Sequence, residues 1–228
     1  MVKNILIDLD GTIFDFLKSE AVALSKTLLH FGINPTDDLI KLYSKINESQ
    51  WKLLETGELT REQILVGRFE IFFKEIGADV SGIEARHLYE GNLSQGHYFI
   101  DYAEELLEEL SKKYSLYLAS NGTAIVQSGR IKSSGIKKYF KEIFVSENVG
   151  YNKPDKRFFD YCFSRINDFS PSETIIVGDS LSSDILGGSN AGIRTIWFNK
   201  NYMKNDIGVI VDKEVYSLRE IPDVVKNM

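Results

Sequence analysis

A parallel α/β sheet interrupted by an inserted block of helices is the fold this sequence predicts. Three observations point to it. Short apolar runs rich in β-branched and aromatic residues recur along the chain. Helical patterns separate most of them, the arrangement of a parallel sheet covered on both faces. The interval between the first two runs is too long for a simple crossover.

Taken in order, the first run is Ile5–Leu9, almost at the first residue. From about Phe14 to Gly96 the pattern is helical. Ala21, Leu24, Leu28 and Phe31 fall on one face, and Gly32 supplies a stop. Leu65, Phe69, Phe72 and Ile76 repeat that spacing and end at Gly77, with Thr60 and Gln63 forming a capping box ahead of them. About four helices are expected here as a small domain over 14–96, leaving 1–13 and 97–228 for the sheet domain. Asp101–Lys113 reads as a helix with Ala103, Leu106, Leu107 and Leu110 inward. Its Glu104, Glu105, Glu108 and Glu109 form a solvated face. The remaining strands are expected at Ser115–Ala119, Ile143–Val145, Thr174–Val177, Arg194–Phe198 and Val209–Val211. No internal repeat or low-complexity segment is present.

Composition narrows the function. The chain has 228 residues, 43% hydrophobic and 26% charged, with a net charge of −6. An estimated pI of 5.2 argues against a binder of nucleic-acid polymers. The single cysteine, Cys162, cannot form an internal disulfide. Its neighbours Phe158, Phe159, Phe163 and Ile166 suggest a buried helix face, and it fits a reducing compartment. No apolar run approaches the roughly 20 residues that cross a bilayer. The start, MVKNILIDLDGT, is unlike a signal peptide. A cytoplasmic protein, monomer or homodimer, is expected, with no membrane partner.

The chemistry collects at one predicted edge. Ligands of an open parallel sheet bind beyond the carboxyl ends of the strands. After the first strand stand Asp8 and Asp10; after the second, Ser120-Asn121-Gly122; after the third, Lys153-Pro154-Asp155; after the fourth, Asp179, with Asp184 five residues on. Asp8 and Asp10 are two apart, so a strand would point both carboxylates the same way. Two like charges about 4 Å apart repel by about 4 kcal/mol at an effective dielectric of about 20. Such a gathering calls for protonation or a cation. All-oxygen donors beside a phosphate favour Mg²⁺, and no histidine lies near enough to make zinc plausible. Ser120, with the amides of Asn121 and Gly122, can hold phosphate oxygens, and Lys153 adds a fixed positive charge.

These residues in this order resemble the haloacid dehalogenase-like hydrolase superfamily. The matching stretches are DLDGT at Asp8–Thr12, ASNG at Ala119–Gly122, KPD at Lys153–Asp155 and GDSLSSD at Gly178–Asp184. The resemblance covers essentially the whole chain. It implies a Rossmann-like core with an inserted helical cap domain. It further implies that Asp8 is the nucleophile, Asp10 the general acid and base, and Ser120 and Lys153 phosphate ligands. Asp179, Asp184, Asp8 and the backbone carbonyl of Asp10 are implied as the metal site. Dehalogenases of this superfamily generally lack the second aspartate, because halide leaves without a proton. Asp10 therefore favours a phosphomonoester substrate.

Within the superfamily, Asn47-x-x-x-Trp51, Gly57-x-x-Thr60 and Gly67-Arg68-Phe69 resemble the cap of the pyrimidine 5′-nucleotidase branch. So do SENVGYNKPD at Ser146–Asp155 and GDSLSSDILGGSNAG at Gly178–Gly192. This implies nucleoside 5′-monophosphate substrates. Trp51, Arg68 and Phe69 are candidates to contact a base or sugar. The alternatives are a sugar-phosphate phosphatase or phosphoglucomutase-like enzyme, and a protein that keeps the fold to bind phosphate ligands without turnover. A mutase needs a cap that excludes water, and no sequence feature shows one. A degenerate binder should have lost catalytic residues, yet all are present.

Overall fold

The computed structural model describes all 228 residues. Six strands form one parallel sheet: β1 (Asn4–Ile7), β2 (Ser115–Ser120), β3 (Phe140–Val145), β4 (Thr174–Gly178), β5 (Arg194–Phe198) and β6 (Lys213–Val215). Their spatial order is β3-β2-β1-β4-β5-β6. The chain works outward from β1 to β3, then returns to lay β4 on β1's other side. Ile5 thus sits between Leu116 of β2 and Ile175 of β4.

Side chains alternate across the sheet as the pleat requires. Ile5, Ile7, Leu116, Leu118, Ile175 and Val177 enter one apolar cluster, and Leu6, Tyr117, Ala119 and Ile176 the other. Both faces are covered, so the strands read as continuous apolar runs rather than alternating ones.

Ten helices surround the sheet. Four lie between β1 and β2: α1 (Phe16–His30), α2 (Asp37–Glu55), α3 (Arg61–Glu75) and α4 (Gly82–Leu93). They are followed by α5 (Ala103–Ser111), α6 (Ala124–Ser134), α7 (Ser146–Val149), α8 (Lys156–Ser164), α9 (Leu186–Asn190) and α10 (Ile221–Lys226). The α5 helix buries Ala103, Leu106, Leu107 and Leu110, as its spacing predicts. Cys162 is buried in α8 beside Phe158 and Phe159, and burial pushes its thiol up, away from reactivity.

The four-helix insert has its own core. The rings of Tyr43, Phe69, Phe72 and Tyr89 pack with Tyr43 at centroid distances of 5.2, 5.5 and 5.4 Å from the other three. Thr60 and Gln63 close the expected capping box at the start of α3.

Two expectations are corrected. The sixth strand is Lys213–Val215, not Val209–Val211. Val209–Val211 lie in a loop where Ile210 is 76% exposed, whereas Val215 pairs with Phe198 and is fully buried. An apolar run looks like a strand in sequence, but register on β5 decides which residues pair. In α1 the buried face holds Ala23, Leu24 and Leu28 together with Ser19, Glu20 and Thr27, while Ala21 is half-buried. Polar residues share that face because they find partners: Thr27 Oγ1 donates to Ala23 O at 2.9 Å, and Asn47 Nδ2 donates to Glu20 Oε1 at 2.7 Å.

Candidate active site

The carboxyl ends of β1 and β4 meet where the strand order reverses, and the insert joins the sheet at the same edge. Asp8 follows β1 directly, and its N–H donates to Val177 O at 2.9 Å, which ties it to β4. Asp179 follows β4. Asp184 lies in a π-helical turn, Leu181–Ile185, and its Oδ2 accepts from Ser180 N at 3.1 Å. The carboxylates of Asp8, Asp179 and Asp184 offer oxygens within 4.8 Å of one another.

Lys153, only 1% exposed, stands in the middle of the acidic groups. Its Nζ donates to Asp8 Oδ1, Asp184 Oδ1 and Ala119 O, each at 2.6 Å. Asn121 sets its backbone: Asn121 Nδ2 donates to Lys153 O and Lys153 N donates to Asn121 Oδ1, both at 2.9 Å. The Asn121 side chain is thereby spent on holding Lys153. Ser120 Oγ accepts from Gly122 N at 3.1 Å and from Gln127 Nε2 at 2.9 Å.

Such closeness depends on two glycines. A Cβ on Gly11 would lie 2.2 Å from Asp179 Oδ2, and one on Gly178 would lie 2.2 Å from Asp184 Oδ2. Gly11 also turns with φ +89, a conformation that side chains resist.

The electrostatics are unbalanced. Burial pushes the Asp8 carboxyl well above the usual carboxylate range; Lys153 opposes this, and Asp184 and Asp179 add to it. Burial and then the Asp184 charge push Asp179 up to about 7. Burial disfavours charge on Lys153, but Asp184 and Asp8 outweigh it and hold the ammonium above its ordinary value. Three carboxylates against one ammonium leave two formal negative charges in a desolvated, oxygen-only pocket. A hard divalent cation such as Mg²⁺ fits that donor set, and Asp8, Asp179 and Asp184 would hold it.

Asp10 departs from expectation. Regular strand ends at Ile7, so the two-residue alternation does not carry past Asp8. The Asp10 carboxylate turns away from the acidic cluster. Its Oδ1 accepts from Arg130 Nη1 and its Oδ2 from Gln127 Nε2 at 2.6 Å. It still faces the same cavity as Asp8, of about 340 Å³.

The three insert candidates separate. Trp51 and Arg68 line that cavity with Asp8, Ser120 and Lys153. Phe69 does not: it is fully buried in the insert's core, against Tyr43 and Tyr89. Residues one position apart on α3 point in different directions, and Phe69 falls on the inner side.

Several contributors escaped the sequence reading. Thr12 Oγ1 donates to Asp179 Oδ1 at 3.2 Å. Glu55, at the end of α2, accepts from Ser182 Oγ at 2.8 Å, and burial holds its carboxyl above the ordinary value. Arg61, the first residue of α3, reaches across to the segments that follow β2 and β3. It donates to Asn121 O at 3.0 Å, to Ser146 Oγ at 2.6 Å and to Asn152 Oδ1. A signal for Arg61 existed, because a cation in the first turn opposes the helix dipole and needs another reason to be there. Gln127 and Arg130 gave only a faint one, two polar residues three apart on a helix side that also carries Val126 and Ile131.

Comparison with known proteins gives a consistent result. A family model for haloacid dehalogenase-like hydrolases matches residues 5–198. YfnB of Bacillus subtilis, named a HAD-hydrolase, is 38% identical over 219 residues, covering 96% of this chain and 93% of that protein. The pyrimidine 5′-nucleotidase PynA of Streptococcus pneumoniae is 35% identical over 228 residues, covering 99% and 96%. A crystal structure of YfnB bound to magnesium superposes with a TM-score of 0.94 at 37% identity, covering 98% of each chain.

Proposed function

The chain belongs to the haloacid dehalogenase-like hydrolases, in the branch of the pyrimidine 5′-nucleotidases, and is a phosphoric monoester hydrolase. From that premise we propose that it removes phosphate from nucleoside 5′-monophosphates, with Mg²⁺, by way of a phosphorylated Asp8. We divide it into a core of 1–13 and 97–228 and a cap of 14–96. The observation that carries this reading is Asp8, buried beside Lys153 and two further carboxylates at the mouth of a cavity walled by both parts.

In this reading Asp8 attacks phosphorus and becomes an acyl phosphate while the ester oxygen departs. Lys153 offsets charge on the nucleophile and the transferring group. Ser120 and the amides beside it hold phosphate oxygens. Asp10 gives a proton to the leaving oxygen, then takes one from the water that cleaves the acyl phosphate. A Mg²⁺ held by Asp8, Asp179 and Asp184 would neutralise charge on the phosphoryl oxygens. The backbone carbonyl of Asp10 would join those ligands, as the family resemblance implies. Trp51 and Arg68 lie where the nucleoside would sit. PynA, similar along nearly its whole length, supports nucleotides over sugar phosphates.

The test is phosphate release from a panel of nucleoside 5′-monophosphates and hexose phosphates, with and without Mg²⁺. Nucleotides are expected to be preferred and release to need the metal. Faster turnover of hexose phosphates would overturn the substrate, and absence of metal-dependent release would overturn the reading.

A further inference from the structure

One buried arginine bonds Asp10 and meets both connections between sheet and insert. Arg130, on α6, has no solvent exposure. Its Nη1 donates to Asp10 Oδ1 and, at 3.2 Å, to Gln127 Oε1. Its Nε donates to Gly96 O at 2.7 Å, and its Nη2 to Ser19 Oγ at 3.4 Å. The guanidinium lies over the Phe14 ring, 5.0 Å from its centroid. Phe14 belongs to the first connection between sheet and insert, Gly96 to the second, and Ser19 to the first helix of the insert. Asp10 is the only carboxylate paired with this buried cation.

The α6 helix is also where the second connection bears. A Cβ on Gly129 would lie 2.8 Å from both Cβ and O of Ser94. One turn on, Ser133 Oγ is 2.9 Å from His97 Nδ1. The helix and residues 94–97 are therefore in close contact along one side. A guanidinium is planar with donors in fixed directions. Linkers that move away from α6 take Gly96 O and Phe14 with them, and the fork must turn or lose bonds. Turning the fork redirects the Nη1 that holds Asp10.

We propose that Arg130 is a positioning residue that ties the placement of the Asp10 carboxylate to the seating of the two linkers. The inference rests on the phosphatase reading above. The guanidinium does not meet the substrate; it fixes where the Asp10 oxygens point. Gln127 completes the hold, bridging Asp10 Oδ2 and Ser120 Oγ at 2.6 and 2.9 Å. One insert position thus sets proton donor and phosphate ligand together.

The experiment compares kcat/KM for an alkyl phosphate, a nucleoside 5′-monophosphate, with that for an aryl phosphate, p-nitrophenyl phosphate. This ratio reports steps up to release of the alcohol and excludes breakdown of the acyl phosphate. Alkoxide needs Asp10's proton to leave; nitrophenolate does not. Arg130→Lys keeps the charge but cannot span Gly96, Asp10 and Ser19 together. It is expected to lower the alkyl-to-aryl ratio about tenfold. Gly129→Ala displaces the linker without touching Asp10 and should lower the ratio about threefold, in the same direction. An unchanged ratio in a folded Arg130→Lys protein overturns the positioning role. An unchanged ratio in Gly129→Ala overturns the link to the cap, and that variant decides the question where Arg130→Lys does not fold. Wild-type protein without Mg²⁺-dependent turnover defeats the phosphatase reading instead, so the two failures are distinct.

Discussion

The rim of the sheet and the interior of the insert both bury charge, and they do so in opposite ways. In the insert, Glu20 accepts from Ser44 and Asn47, and Asn47 Oδ1 accepts from Arg68 Nη1 at 2.8 Å. Arg68 lies 4.0 Å from Glu90, which also takes Arg86 Nε at 3.3 Å. Two carboxylates face two guanidinium groups and the account closes. Burial still lifts Glu20, but its neighbours Ser44 and Asn47, and then Arg68, oppose this. At the rim, Asp8 and Asp184 share Lys153, and Asp179 has no ion pair at all. Burying ionised groups without full compensation costs stability. The insert avoids that cost with protein groups, while in the proposed function a metal ion and a phosphoryl group offset it at the rim. Incomplete electrostatics marks a site of chemistry and complete electrostatics marks a support.

Four measurements break or sharpen this contrast. The largest effect is expected from Asp8→Asn. Turnover should fall by on the order of 10⁴-fold or more, because the nucleophile is gone. Melting temperature should hold or rise, because one of the repelling charges is gone; retained activity would end the nucleophile assignment. Arg68→Met should do the reverse. It strands Asn47 Oδ1, takes the nearby guanidinium away from Glu20 and leaves Glu90 with Arg86 alone, at about 3–5 kcal/mol by chemical denaturation. Its effect on kcat for a small aryl phosphate should be slight. A stable Arg68→Met protein that has lost kcat would place Arg68 among the reacting groups and erase the contrast.

A smaller effect is expected from Arg61→Ala. It removes four ties between the insert and the segments at the sheet's edge, to Asn121 O, Gly122 O, Ser146 and Asn152. KM for phosphate esters should rise about tenfold, the size of one charge-assisted hydrogen bond, with little change in the melting of the sheet domain. Unchanged KM would show that this contact is incidental to binding.

The smallest effect concerns pH. Asp179 is pushed up to about 7 in the fold by burial and Asp184, against an ordinary value of 3.8. Between those values the folded metal-free protein holds more protons than the unfolded one. Its stability therefore falls as pH rises through that window. Metal binding needs the ionised carboxylates and should displace those protons. The Mg²⁺-induced rise in melting temperature should be larger at pH 8 than at pH 5.5. Equal shifts at both values would mean that the rim is not the metal site.

The sequence was most readable where a residue's role is local. DLDGT and GDSLSSD are each a strand end with its turn, KPD follows β3 after the short α7, and each carries a side chain that the cluster uses. Thr60 and Gln63 cap α3 from within one turn. Phe69 was misjudged because apolar spacing cannot tell the lining of a cavity from the core behind it. The Asp10 carboxylate lines the cavity on Arg130 and Gln127 rather than beside Asp8, because the strand stops one residue before Asp8.

What the sequence determined by itself is the order of elements, the carriers of charge and the edge at which they gather. These follow from periodicity, turn chemistry and the direction of parallel strands, which act over a few residues. Tertiary structure alone decided the partners: Arg130 for Asp10, Arg61 for Asn121, Arg68 for Asn47 and Glu90. The pairs Asp10–Arg130 and Arg61–Asn121 are 120 and 60 residues apart in the chain. Direction and register of a long side chain are fixed by packing, and packing exists only once distant segments have met.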